Sequence, residues 1–157
     1  MSEFTATLPS PVGLLQLVAT ERGLSAIDFL HRGSKQAEQT PGNRILSEAQ
    51  RQLTAYFSGK LETFSIDLDW RGTAFQESVW QALSHIPYGD TVTYADIARS
   101  IGRPRSARPV GGAVGKNPLP IVVPCHRVIG SDQTLTGFTG GLGIKIQLLQ
   151  LEGHQVF

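Results

Sequence analysis

Cysteine is nearly absent from this sequence, which has a single one, at position 125, in 157 residues. One cysteine cannot form an internal disulfide, and it argues against a structural zinc cluster, which usually needs four Cys or His ligands. No apolar run approaches the roughly 18 residues of a membrane span, and no charged-then-apolar leader starts the chain. We therefore expect a cytoplasmic protein of one domain or two small ones, with no membrane association.

Charge is also sparse, since 17% of the residues are charged and the formal net charge is +1. Residues 1–71 carry 7 basic and 8 acidic side chains, whereas residues 72–157 carry 7 basic and 5 acidic. Within the second half, four arginines occur in ten residues without an acid: Arg99, Arg103, Arg105 and Arg108. A local basic patch of this kind suits a phosphate backbone. A merely solvated charged face is an equally good interpretation of this feature alone.

The first half predicts a small unit of sheet and helix. Three short alternating runs separated by Pro and Gly predict an antiparallel meander. These runs are residues 4–8, 14–19 and 24–30. Apolar residues at helical spacing over residues 45–57 predict a helix capped by Asn43 or Ser47. A further strand is expected at residues 64–68, and no catalytic pattern occurs in this half.

The second half predicts mostly helix after a junction at residues 69–72. Thr73 and Gln76 have the spacing of a capping box, and Thr93 with Asp96 starts a second, shorter helix. A basic turn at residues 102–105 then leads to a third helix, which gives a helix-turn-helix pattern. Apolar residues over 144–151 predict a closing helix.

Proline at position 109 bears on where the third helix begins. Proline moves the preceding residue toward extended geometry and suits the first helical position. We therefore predict that the helix begins at Pro109 and runs to about Gly115 or Lys116, with Arg108 as a non-helical cap. The alternative is a start at Ser106 or Ala107, with Pro109 in the first turn.

The single cysteine lies in an unusual sequence environment. A β-branched run predicts a strand at residues 119–123, and Pro124, which cannot donate to a sheet, would end it. His126 supplies a base and Arg127 a cation, and both are expected to raise the thiolate fraction of Cys125. Side chains of neighbours on a strand face opposite ways, so His126 would act through a turn or a bridging water. The alternative is a buried cysteine that acts only as a small hydrophobe.

Residues 124–128 read Pro-Cys-His-Arg-Val, and this stretch resembles the signature of the O6-alkylguanine-DNA alkyltransferases. The resemblance extends in order and spacing over residues 75–153, and it includes residues 92–94, 107–112, 117–120, 137–141 and 148–153. It implies an α/β fold with two domains. Residues 1–71 would form a supporting antiparallel-sheet-plus-helix domain. Residues 72–157 would form a mostly helical DNA-binding and alkyl-transfer domain, with a helix-turn-helix and a short strand leading to the reactive cysteine.

The resemblance also implies the reaction and its residues. An alkyl group would pass from guanine O6 in double-stranded DNA to Cys125, one per protein, without cofactor or metal. The implied catalytic group is Cys125 as nucleophile, His126 as base through a water, Glu152 orienting the imidazole, Tyr94 at guanine N3 and Asn117 bracing the cysteine strand. Glu152 could instead be a plain helix-end charge. We expect a monomer in the absence of DNA.

The same resemblance implies two further sets of residues, one that contacts DNA and one that forms the pocket for the flipped base. Arg108 would fill the space left by a flipped base, and the other DNA contacts would be Arg99, Arg103, Arg105, Ala107, Gly112 and Arg127. The base pocket would contain Pro120, Val128, Phe138, Thr139 and Lys145. Lys145 could equally be an exposed helix residue. The sequence departs from the family pattern at Pro109, where a small non-proline residue is common, and at Phe138, where many members have tyrosine.

Three other functions compete with this interpretation. A non-catalytic relative that binds alkylated DNA would lack the cysteine, whereas Cys125 is present. A Cys-His-Glu hydrolase would need direct contact between thiol and imidazole. A helix-turn-helix transcription factor would present polar base-reading side chains on its second helix, and residues 110–115 offer almost none.

Overall fold

The structure is a computed structural model that describes residues 2–132, 135–138 and 140–155. The chain divides into two compact units, Met1–Arg71 and Gly72–Phe157. The architecture is α/β, as expected: an N-terminal antiparallel sheet with a helix, then a mostly helical part with a short strand near Cys125. No helix of the described residues is long and apolar enough to cross a membrane.

The sheet of the first unit is the predicted meander. Its strands are β1 (Phe4–Ser10), β2 (Gly13–Ala19) and β3 (Leu24–Phe29), paired antiparallel in the order β1-β2-β3. Alternate residues of β2 point into the core, where Leu15, Leu17 and Ala19 are fully buried. This two-residue period is the pattern of a sheet with one covered face.

Helix α1 (Arg44–Phe57) packs its apolar stripe on this sheet, with Leu46 and Leu53 buried. Asn43 caps it, since its Oδ1 accepts a bond of 2.9 Å from the Leu46 N–H. The strand predicted at residues 64–68 is wrong. That segment forms only an isolated bridge between Leu68 and Leu24. The Gln52 side chain instead accepts the Ser65 N–H at 2.9 Å.

In the second unit the described residues form four α-helices: α2 (Ala74–Leu83), α3 (Tyr94–Ser100), α4 (Ala107–Gly115) and α5 (Leu142–Leu151). Both predicted capping boxes are confirmed, Thr73 with Gln76 on α2 and Thr93 with Asp96 on α3. Helices α3 and α4 form the helix-turn-helix pair. The buried Trp80 of α2 donates its indole N–H to the Ala113 carbonyl at 2.8 Å, which joins α2 to α4.

Helix α4 does not begin where the sequence predicted. It begins at Ala107, with Ser106 as N-cap and Arg108 already in the helix. The first helical bond runs from the Val110 N–H to the Ser106 carbonyl at 2.9 Å. Pro109 lies in the first turn, where its missing N–H has no intrahelical partner, so the helix tolerates it. The alternative start is therefore the correct one.

The strand predicted at residues 119–123 is also wrong. Residues 118–123 form turns, and Cys125–Arg127 is a single turn of 3₁₀ helix. The short strand near the cysteine is β5 (Val128–Ile129), which follows it and pairs in parallel with β4 (Val92–Thr93). Pro118, Pro120 and Pro124 leave this segment few N–H groups for a sheet, and the β-branched run is buried as a turn instead.

Candidate active site

A braced turn holds Cys125 in place. The Asn117 side chain links its two ends, donating to the Val123 carbonyl and accepting from the Leu119 N–H, both at 2.9 Å. Asn117 therefore braces a turn and not the predicted strand. Inside the turn, Ile121 is fully buried with a φ of 76°. A β-branched residue in this left-handed region is strained, and such strain persists only where the surroundings impose it.

The two residues after Cys125 converge on one carboxylate. Glu152 Oε2 lies 2.7 Å from His126 Nε2, and Arg127 forms a two-pronged ion pair with Glu152 at 2.8 and 2.9 Å. Arg127 also donates to the Ile86 carbonyl at 2.7 Å and lies over the Tyr88 ring. The histidine and carboxylate side chains are fully buried, and Arg127 nearly so. The prediction that Arg127 contacts DNA is wrong for this structure, because Arg127 is buried and its donors are used internally.

The protonation of His126 follows from this contact. Burial lowers the pKa of His126, opposed by the hydrogen bond and charge of Glu152. A neutral imidazole that faces a carboxylate through Nε2 carries its proton there, which leaves Nδ1 as an acceptor. Nδ1 is buried and has no hydrogen-bond partner among the described residues. The lone pair on Nδ1 is thus available to take a proton, and no direct bond to the thiol is formed.

The thiol itself is not activated in the DNA-free protein. Burial raises the pKa of Cys125 to about 11, opposed by a hydrogen bond from Asn117 and by the charge of Lys145. The expectation that His126 and Arg127 lower this pKa is therefore wrong. The cation that favours the thiolate is Lys145, 20 positions further along the chain. The thiolate fraction at neutral pH is small until the environment of the sulfur changes.

Lys145 is buried, which the sequence left open. Its Nζ donates to the Val128 carbonyl at 2.6 Å and to the carbonyl and hydroxyl of Thr136 at 3.3 and 3.4 Å. Burial lowers the pKa of Lys145 to about 8. The Thr136 hydroxyl in turn lies 2.5 Å from the Tyr94 hydroxyl. Thr136 is a lone threonine in a polar loop, and no sequence pattern marks it as a functional residue.

A pocket of about 550 Å³ opens next to these hydroxyls. Its described lining consists of Tyr94, Ala95, Ala107, Arg108, Gly111, Gly130, Ser131, Asp132 and Thr136. The predicted pocket residues Pro120, Val128 and Lys145 are buried and Phe138 is half-buried, but none of these four lines it. Thr139 lies outside the described residues. Cys125, with 3% of its surface exposed, is also not part of the described lining.

The predicted basic patch lies on the helix-turn-helix. Arg99, Arg103, Arg105 and Arg108 are all exposed, as is Gly112, while Ala107 is half-buried. Arg99 pairs with Asp96 on its own helix, and Arg103 lies over the Phe75 ring at 5.5 Å. An exposed pair of this kind contributes little energy and can exchange partners readily. Within the described ranges, no group of three or more His, Cys, Asp or Glu could hold a metal ion.

The fold and the site together define a class: a helix-turn-helix protein with a buried cysteine supported by asparagine, histidine and glutamate. Comparison with known proteins agrees. A family model described as "6-O-methylguanine DNA methyltransferase, DNA binding domain" matches residues 74–154. A second, described as "6-O-methylguanine DNA methyltransferase, ribonuclease-like domain", matches residues 4–70.

Individual relatives match over nearly the whole chain. The methylated-DNA–protein-cysteine methyltransferase of Methanosarcina barkeri is 52% identical over 153 residues, covering 95% of this chain and 96% of that protein. The protein of the same name from Mycobacterium leprae is 46% identical over 96% of this chain and 92% of that protein. The crystal structure of Mycobacterium tuberculosis OGT in complex with DNA has a TM-score of 0.84 at 47% identity, covering 96% and 91%. The chain therefore belongs to the 6-O-methylguanine DNA methyltransferase family and is an enzyme of the methylated-DNA–protein-cysteine methyltransferase type.

Proposed function

We propose that this protein removes alkyl groups from guanine O6 in double-stranded DNA by transferring them irreversibly to its own Cys125. The observation that carries the proposal is the cluster around the chain's single cysteine. Asn117, His126 and Glu152 are all buried there; Asn117 donates to the Val123 carbonyl at 2.9 Å, and His126 lies 2.7 Å from Glu152. In this proposal the second unit binds DNA and carries out the transfer, and the first unit supports it. The protein acts as a monomer until it meets DNA.

Transfer begins with loss of the thiol proton. The Cys125 proton passes to Nδ1 of His126 through a water, and Glu152 stabilises the imidazolium that results. The thiolate sulfur then attacks the alkyl carbon, an S–C bond forms and the C–O6 bond breaks. The bonding electrons move onto guanine, which takes a proton from the Tyr94 hydroxyl at N3. Because none of these groups can hydrolyse the thioether, the protein works once.

The raised pKa of Cys125 fits a thiol that is activated only on DNA. A thiol with this pKa in the free protein is protected from oxidants and stray electrophiles, since the thiolate is the reactive form. Entry of the flipped base changes the surroundings of the sulfur and places the alkyl carbon next to it. The flipped guanine and the Cys125 sulfur are then held next to each other in a fixed orientation, and this proximity lowers the activation barrier of the transfer.

Arg108 is placed to assist base flipping. It is exposed at the start of α4 and lines the pocket, so it can enter the duplex where the base leaves. Further along the same exposed face, a Cβ added at Gly112 or Gly115 would meet no atom within 4 Å. Glycine within a helix costs up to about 1 kcal/mol relative to alanine. Nothing inside the protein requires glycine at these positions, which supports close approach of DNA along this face.

The decisive test uses duplex DNA carrying radiolabelled O6-methylguanine. The wild-type protein should acquire label at Cys125. Cys125→Ala should acquire none while still binding the methylated duplex, because phosphate contacts and flipping do not need the thiol. Label on the alanine variant would remove Cys125 from the mechanism. Binding by the wild type without any transfer would identify a lesion-binding relative instead.

Salt dependence tests the proposed DNA face separately. If Arg99, Arg103 and Arg105 each meet a phosphate, three contacts imply a log–log slope of binding against salt of roughly −2.7. Replacing one of them with glutamine should reduce the slope by about 0.9. Arg71, an arginine of the first unit, is the matched control, and its replacement should leave the slope unchanged. A wild-type slope near zero would contradict the proposed face.

A further inference from the structure

Thr136 connects two groups that the reaction needs. Its hydroxyl lies 2.5 Å from the Tyr94 hydroxyl and 3.4 Å from Nζ of Lys145. Thr136 and Tyr94 both line the pocket, whereas Lys145 is buried and does not belong to the described lining. Lys145 is also fixed by the Val128 carbonyl at 2.6 Å and the Thr136 carbonyl at 3.3 Å. The three groups therefore form one hydrogen-bonded chain, from the buried ammonium group of Lys145 through the Thr136 hydroxyl to the Tyr94 hydroxyl at the pocket.

The charge on Lys145 favours one direction of hydrogen bonding from Lys145 through Thr136 to Tyr94. An ammonium group has three donors and no acceptor, so the Thr136 oxygen must accept from Lys145. The Thr136 proton is then free to be donated to the Tyr94 oxygen. With that oxygen acting as acceptor, the phenolic proton of Tyr94 is directed away from Thr136. Each bond polarises the next, which makes the last proton a better donor.

We propose that Thr136 is a positioning residue that orients the Tyr94 hydroxyl proton into the pocket and links it to Lys145. The inference rests on the proposed function, in which Tyr94 gives its proton to N3 of the leaving guanine. As the C–O6 bond breaks, the Tyr94 proton moves to guanine. Tyr94 takes the Thr136 proton, and Thr136 takes one from Lys145, which is left as a neutral amine. The low pKa of Lys145, about 8, makes this last donation feasible near neutral pH.

The competing explanation is that Thr136 only fills space in the pocket wall. The two explanations differ in which substitutions they tolerate. Thr136→Val keeps the shape and removes the hydroxyl, whereas Thr136→Ser keeps the hydroxyl and removes a methyl group. If the hydroxyl orients Tyr94, serine preserves function and valine does not. If Thr136 is a spacer, the ranking is reversed.

The experiment measures single-turnover transfer from free O6-benzylguanine, which requires no base flipping. We expect Thr136→Val to lower the maximal transfer rate roughly tenfold, as expected for the loss of one oriented hydrogen bond, without changing the half-saturating concentration. Thr136→Ser should stay close to the wild type. In a Tyr94→Phe background, Thr136→Val should cause no further loss, because Thr136 acts only through the phenol.

A substrate analogue gives an independent comparison. In 3-deaza-O6-benzylguanine a C–H group replaces N3, so Tyr94 has no acceptor and Thr136→Val should react as fast as the wild type. If the valine variant is too unstable to assay, Thr136→Ala with the same pair of substrates serves in its place. Equal losses on both substrates, or additive losses with Tyr94→Phe, would overturn the inference. A wild type that transfers no methyl group from an O6-methylguanine duplex would instead refute the proposed function itself.

Discussion

We expect Glu152→Gln to change both the stability of the protein and the pH dependence of transfer. The carboxylate bonds to His126 through Oε2 and to Arg127 through both oxygens, and its side chain is fully buried. The amide keeps the size but leaves the Arg127 guanidinium without a counter-charge. Removing one partner of a buried ion pair costs about 3–5 kcal/mol. For a chain of this size we expect the melting temperature to fall by roughly 6–20 °C.

The same substitution should also change the pH dependence of transfer. Glu152 raises the pKa of His126 against the effect of burial, so its loss lowers that pKa further. A weaker base takes the thiol proton less readily. The thiolate then forms mainly by ionisation of the thiol as the pH approaches the raised pKa of Cys125. The pH–rate profile of single-turnover alkylation should therefore move to higher pH, and the rate at neutral pH should fall.

A second variant separates the two effects. Arg127→Met combined with Glu152→Gln removes the unpaired buried charge, which is the main cost of breaking a buried ion pair. The double variant should recover most of the lost melting temperature but keep the slow rate and the shifted profile, because His126 still lacks its carboxylate. If Glu152→Gln has an unchanged pH–rate profile, Glu152 is only a helix-end charge and the proposed activation of Cys125 is wrong.

Three further predictions concern the DNA face and the thiol. Gly112→Ala should raise the free energy of unfolding by about 0.5–1 kcal/mol, measured in urea, yet weaken duplex binding. The control is Gly143→Ala, at another exposed helical glycine with open space around it, which should leave duplex binding unchanged. Equal binding by the two variants would contradict close approach of DNA to α4. Because the pKa of Cys125 is raised to about 11, iodoacetamide at pH 7.5 should alkylate this thiol at least about a hundredfold more slowly than a free cysteine. The alkylation rate should rise with pH up to about pH 11, and an apparent pKa below 8 would contradict this prediction. Arg108→Ala should slow transfer from duplex DNA far more than transfer from free O6-benzylguanine, and equal losses would show that Arg108 supports the pocket instead of flipping.

Local signals predicted much of the fold because they act over a few residues. The capping boxes at Thr73 and Thr93 and the cap at Asn43 form as expected, since a cap needs only a side chain and an N–H group three positions on. The alternating runs of the first half likewise form the predicted meander. The start of α4 was predicted wrongly at Pro109. Proline disfavours helical geometry at the preceding residue, but Arg108 is helical all the same and the helix begins at Ala107.

Long-range contacts could not be predicted in the same way. The burial of Lys145 and its bond to Thr136 depend on the packing of α5 beside the cysteine, which no local pattern reveals. Arg127 looked like a surface cation next to a reactive thiol, yet the carboxylate that pairs with it is 25 residues away. The β-branched run before Cys125 has strand propensity, but Asn117 and the prolines hold it as a turn. In each case tertiary structure outweighed local preference.

The most direct test of the account is a titration with excess DNA. Protein is incubated to completion with a large molar excess of O6-methylguanine duplex, and the methyl group is located by peptide mass spectrometry. We expect a plateau of one methyl group per protein, all of it on the peptide that contains Cys125, with an equal amount of guanine restored in the DNA. Continued demethylation beyond one equivalent, or a methyl group on any other residue, would contradict single transfer to Cys125.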